Sequence, residues 1–198
     1  MPKAGTYSTR RIAVPDYDVI KRTAEQAVKD QLGALARPDD RVERAAEIIR
    51  QADAEIALHV DDRNAATASL WFYEHTLGLA RALGVNKNAY REILAKALTG
   101  DPKGELPGDL DAEGLAKVAT AAGVPRIEDA GDKLPELARI VAAARARRTA
   151  AVPFMQDAAL ALSEEPYSWD GERIAAHANV AVKLIWQHWA AARRRREH

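Results

Sequence analysis

Apolar residues recur at spacings of three and four along most of this chain, the period of a helix with one buried face, and no stretch makes a convincing strand. Val19, Ile20, Ala24, Ala27, Val28 and Leu32 share one side of a helix that Asp16 can cap and that runs to about Leu35. Residues 36–40, with Pro38 among them, break it, and Asp39 or Asp40 caps the next. Val42, Ala45, Ile49, Ala52 and Ile56 then alternate spacings of three and four, a seam like that of a coiled coil, with Glu43, Arg44, Glu47, Arg50 and Glu55 off it. The seam has two readings: packing within its own domain, or a helix-mediated homodimer interface. At about two heptads it is shorter than the three or four that define a coiled coil. Residues 61–64 (Asp-Asp-Arg-Asn) either interrupt this helix or form a polar turn of it.

Gly100, Pro102, Gly104, Pro107 and Gly108 punctuate the clearest linker in the chain. The expected organisation is a flexible arm at 1–15, a helical domain at 16–99, a linker at 100–111 and a helical C-terminal domain at 112–198. In the C-terminal part, Asp111 can cap a helix over 112–122 that ends at Gly123. Further helices are expected over 134–149 and 154–163, with Pro153 interrupting or restarting the path. A final pair spans 171–178 and 182–196.

Composition supports helix. Hydrophobic residues are 47% but aromatics only 6%, and alanine, the best helix former, is abundant where strands would want β-branched and aromatic residues. The expected fold class is all-α. With no cysteine, disulfides, thiolate zinc sites and a thiol nucleophile are excluded. No apolar run approaches the roughly 20 residues of a membrane span, and the N-terminus lacks the apolar segment of a secretory signal, so a cytoplasmic location is expected. Lys+Arg and Asp+Glu are 29 each, which argues against bulk coating of nucleic acid but leaves room for a local basic footprint. The arm (Lys3, Arg10, Arg11) and the tail Arg193-Arg194-Arg195-Arg196 are locally basic.

The stretch from Thr76 to Leu94 carries a more specific pattern. Ala80 is small where two helices would cross, and Leu79 and Leu83 face inward. Gly84 suits a left-handed residue at a helix end. Val85 plugs the core below the turn, Asn86 can cap the next helix, and Tyr90 and Ile93 bury its inner face. Thr76 reads as the cap of the first helix, and residues 65–73 as a supporting helix. As a set, these offsets resemble the helix-turn-helix of bacterial DNA-binding proteins, with Tyr90 standing where a β-branched aliphatic is usual. The resemblance implies a second helix lying in the major groove, its first residues on base edges. Those are Asn86, Lys87, Asn88 and Ala89, with Arg91 a turn later. Asn pairs with adenine, Lys or Arg with guanine, and Ala touches a thymine methyl. Lys96 and the cap residue Thr76 are phosphate candidates. The alternative is a purely structural helical corner, which has no need of a polar Asn-Lys-Asn face.

A second, weaker match runs from Arg173 to Trp189. Ala175 holds the small position, Asn179 the turn, Val180 the plug and Ile185 the buried site, but His188 falls where an apolar residue is expected. Its outer face would offer Lys183 and Gln187, followed by Arg193 and Arg194 for backbone phosphate; the alternative is a terminal helix that packs through Trp186 and Trp189. His59, His75, His177, His188 and His198 show no metal-ligand spacing, and no phosphate loop, dinucleotide fingerprint or nucleophile elbow is present. The expectation is a non-enzymatic protein without cofactor or metal. It is expected to bind double-stranded DNA as a homodimeric, nucleoid-associated transcriptional regulator. Rival expectations are a plasmid or phage partition or replication accessory protein, and a helical protein–protein adaptor. No effector pocket is legible.

Overall fold

The structure is a computed structural model that describes residues 10–108 and 110–197; Lys3 and most of the expected arm lie outside them. The described residues form eight helices and no strand: α1 (Tyr17–Gly33), α2 (Pro38–Phe72), α3 (Leu79–Ala82), α4 (Lys87–Thr99), α5 (Ala112–Ala121), α6 (Ala130–Ser163), α7 (Gly171–Ala178) and α8 (Val182–Arg196). None is long and apolar enough to cross a membrane. The chain divides into two compact units, each assembled from separate stretches of sequence.

The first unit holds the chain up to Tyr17 and Ala57–Ala142. The last turns of α2 are its axis. Ala66 and Leu70 enter one cluster with Leu79, Leu83, Ala130 and Leu134. Ala68 and Phe72 enter another with Leu94, Leu115, Ala119 and Val124. Residues four apart share a helix face and residues two apart lie on nearly opposite ones, so this end of α2 is buried all round. Trp71 touches both clusters. The stretch 100–111, expected as a linker between domains, instead runs inside this unit between α4 and α5. Leu106 and Leu110 explain why, since both pack on the second cluster. Asp111 caps α5 as expected, accepting from the Gly114 N–H at 2.8 Å. The described end of the arm is docked as well: Ile12 packs on the first cluster, and Arg10 pairs with Glu74 at 3.4 Å and Asp132 at 3.1 Å.

The second unit holds Asp18–Ile56 and Ala143–His198. Its core brings Val28 and Leu32 of α1 and Val42, Ala45, Ala46 and Ile48 of α2 against Ala151, Met155, Ala158 and Ala159 of α6. Ile174, Ala175 and Ala178 of α7 and Ile185 of α8 complete it. This corrects the dimer reading of the seam. Val42, Ala45 and Ala52 are fully buried within the chain itself; Ile49 and Ile56 are half-buried, Ile49 packing on the same core. Two breaks allowed by the sequence do not occur. Residues 61–64 continue α2, where the buried Arg63 guanidinium donates to Asn64 Oδ1. Pro153 sits inside α6, where it withdraws one backbone donor; buried Ala151 and Met155 on either side keep the helix on course.

Candidate nucleic-acid interface

Local backbone chemistry sets the entry to α4. After α2, His75 adopts a left-handed conformation (φ 52°), and the Thr76 N–H donates back to Leu70 O at 3.0 Å. The cap of α3 is Gly78, not Thr76, and it offers no side-chain bond. Thr76 is fully buried with its hydroxyl unpartnered. It is therefore out of reach of any phosphate, and the cap and contact roles expected of it are corrected. The helix α3 is a single turn, fixed by buried Leu79 and Ala82, with Leu83 buried just after it.

The turn itself matches the expected chemistry. Gly84 has φ +64°, its N–H donates to Arg81 O, and the Val85 N–H donates to Ala80 O, both at 3.1 Å. These two crossed bonds close a helix end over a left-handed residue. One partner was invisible to spacing. The Tyr17 ring lies over Gly84, where an added Cβ would come within 2.7 Å of it, and the Tyr17 hydroxyl donates to Ala82 O. Burial pushes that phenol up to about 12, against a smaller opposing pull from Arg63. Asn86 then caps α4, accepting from the Ala89 N–H at 2.8 Å.

Tyr90 and Ile93 pack on the first cluster, and Leu94 and Ala95 are buried. The unusual Tyr90 is accommodated because it lies edge-on to Trp71, with ring centroids 6.3 Å apart, and also meets the second cluster. Its burial raises the phenol pKa further still, so it stays protonated. The outer face of α4 exposes Asn86, Lys87, Asn88, Arg91 and Lys96, with Glu92 beside them; Ala89 is half-buried. Among the described residues no carboxylate pairs with Lys87, Arg91 or Lys96. On α5 and α6 of the same unit, Lys117 pairs with Glu113, Lys133 with Asp129 and Arg139 with Glu136, whereas Arg81 of α3, like the α4 cations, has no carboxylate partner among the described residues.

The end of the chain repeats the same turn. Asn179 takes the left-handed conformation (φ 52°) at the end of α7. Its N–H donates to Ala176 O and the Val180 N–H to Ala175 O, at 3.3 and 3.0 Å, the bonding pattern seen at Gly84 and Val85. Ile174, Ala175 and Ile185 are buried as expected. His188 is also buried, only 7% exposed, with Nε2 unpartnered, so it occupies the apolar position despite its polarity. Desolvation lowers its pKa, helped by Arg195. Trp189 packs inward and donates to Ala159 O at 2.9 Å, whereas Trp186 is 57% exposed. Lys183, Gln187, Arg193 and Arg194 are exposed. The arginine run forms the exposed last turn of α8. Arg195 pairs with Asp157 at 2.7 Å and Arg196 with Glu164 at 2.8 Å, while Arg193 and Arg194 have no carboxylate partner among the described residues.

No family model matches the chain, and it has no significant match among curated proteins or solved structures.

Proposed function

We propose that the protein binds double-stranded DNA in a sequence-specific manner, with α3, the Gly84 turn and α4 acting as a helix-turn-helix and α4 as its recognition helix. One observation carries this reading. The first turns of α4 present Asn86, Lys87, Asn88 and Arg91 together, exposed and without acidic partners among the described residues, in a chain with no net charge. In a major groove, Asn88 would pair with adenine and Lys87 or Arg91 with guanine. Asn86, as the cap, leaves backbone N–H groups of the first turn facing phosphate. Lys96, two turns along, serves phosphate. The biological setting that fits is transcriptional regulation at the nucleoid.

The repeated turn at Asn179 favours an extension of this reading: α8 is a second DNA-contacting helix, through Lys183, Gln187, Arg193 and Arg194. The decisive experiment is selection of bound duplexes from a random pool, run with the native chain, Lys87→Ala/Asn88→Ala and Lys183→Ala/Gln187→Ala. One enriched motif, lost with the α4 variant and shortened with the α8 variant, is the expected result. Absence of enrichment with all three proteins refutes the reading and brings forward a helical adaptor.

A further inference from the structure

Beside the first two turns of α4 lies a cavity of about 560 Å³, entirely within the first unit. Its size falls inside the range of small-molecule sites, roughly 300–1,000 Å³. Trp71, Tyr90 and Leu106 contribute to an apolar and aromatic wall, and Lys87, Asn88 and Arg91 complete the lining. Those three are exposed whereas Trp71, Tyr90 and Leu106 are half-buried, so the polar groups stand at the mouth and the rings lie deeper. No acidic residue among the described ones lines the cavity. Lys87 and Asn88 are also the first two residues of α4, where backbone N–H groups without helical partners and the positive end of the helix dipole face outward. Tyr90, kept protonated by its burial, adds a neutral hydroxyl rather than a charge.

We propose that this cavity binds a small amphipathic anion, a ring system carrying a carboxylate or sulfonate. Its rings lie against Trp71, Tyr90 and Leu106, and its charge meets Lys87 and Arg91. Because Lys87, Asn88 and Arg91 are the side chains assigned above to base edges, the bound anion and DNA exclude one another. The competition rests on the DNA-reading role of α4; the binding of the anion does not. The site therefore makes α4 a ligand-releasable reader: the anion neutralises the two cations and occupies the face that the groove would fill.

The test uses the full chain and two fluorescent probes that share one ring skeleton: 8-anilinonaphthalene-1-sulfonate, and N-phenyl-1-naphthylamine, which lacks the sulfonate. The sulfonate is expected to bind saturably at one site, and about tenfold or more weaker to Lys87→Gln/Arg91→Gln, in line with the strength of charge-assisted contacts. The neutral probe binds native chain and double variant alike. Leu106→Trp, which fills the wall and leaves both cations in place, abolishes binding of both probes, with circular dichroism confirming that each variant is folded. The sulfonate then displaces the duplex selected above. Non-saturating binding, or equal sulfonate affinity in native chain and double variant, overturns the site. Simultaneous binding of sulfonate and duplex overturns the competition. A chain that binds no duplex refutes the reading of α4, and the probe titrations still decide the cavity.

Discussion

Gly84 is constrained twice, and the two constraints are separable. Its φ of +64° costs an alanine about 1 kcal/mol. Independently, an added Cβ would come within 2.7 Å of the Tyr17 ring. Displacing that ring is an overpacking event costing about 2 kcal/mol, part of which is the hydrogen bond from the Tyr17 hydroxyl to Ala82 O. Gly84→Ala should therefore destabilise the protein by about 3 kcal/mol. Gly100 supplies the control: its φ is +78°, yet nothing lies within 4 Å of its added Cβ, so Gly100→Ala should cost about 1 kcal/mol. Urea denaturation followed by far-UV circular dichroism measures both, and a third comparison isolates the contact. In a Tyr17→Ala background the collision is gone, and Gly84→Ala should cost only about 1 kcal/mol. Equal costs for the two glycines, or an undiminished cost in the Tyr17→Ala background, would refute the steric argument and leave backbone conformation alone in control of the turn.

Val42→Ala should lower stability by about 2 kcal/mol, because Val42 is fully buried in the second unit, and should leave the mass in solution unchanged; a mass shift in sedimentation would return the seam to an intermolecular role. Burial holds His188 and His75 below the ordinary histidine pKa, so the unfolded chain takes up protons first and stability should fall as pH drops below about 6.5, levelling off only below the native pKa values. His188→Leu should flatten that slope in urea titrations across pH, and an unchanged slope would remove His188 from the account.

The helices were legible where apolar periodicity and capping agreed. Asp111 and Asn86 were readable as caps because their side chains bond locally, three residues ahead. The bounds of α7 and α8 followed from Asn179 at the turn and the inward positions on either side of it; the Asp170 cap of α7 came only with the structure. Tertiary contacts were not readable in the same way. Tyr17 over Gly84 and Leu106 on the second cluster join residues far apart in sequence, and no local pattern announces them. The seam illustrates the complementary failure: a three-four alternation states that a helix face is buried, but not whether the cover comes from the same chain. Likewise, the polar start of α4 was evident from residue types, whereas the cavity beside it depends on Trp71 and Leu106 arriving from other elements.

If the protein reads DNA as proposed above, the burial of Val42, Ala45 and Ala52 within their own unit bears on its dose response. A protein that is monomeric in solution and dimerises only as it binds fills its operator with roughly the square of protein concentration, and passes from one-tenth to nine-tenths occupancy over about a ninefold rise. A protein that binds its site as a single chain would fill it with the first power, and the same passage would take roughly an 80-fold rise. Built this way, the protein would act as a dimmer rather than a toggle when only its abundance changes, and any abrupt response would have to come from elsewhere.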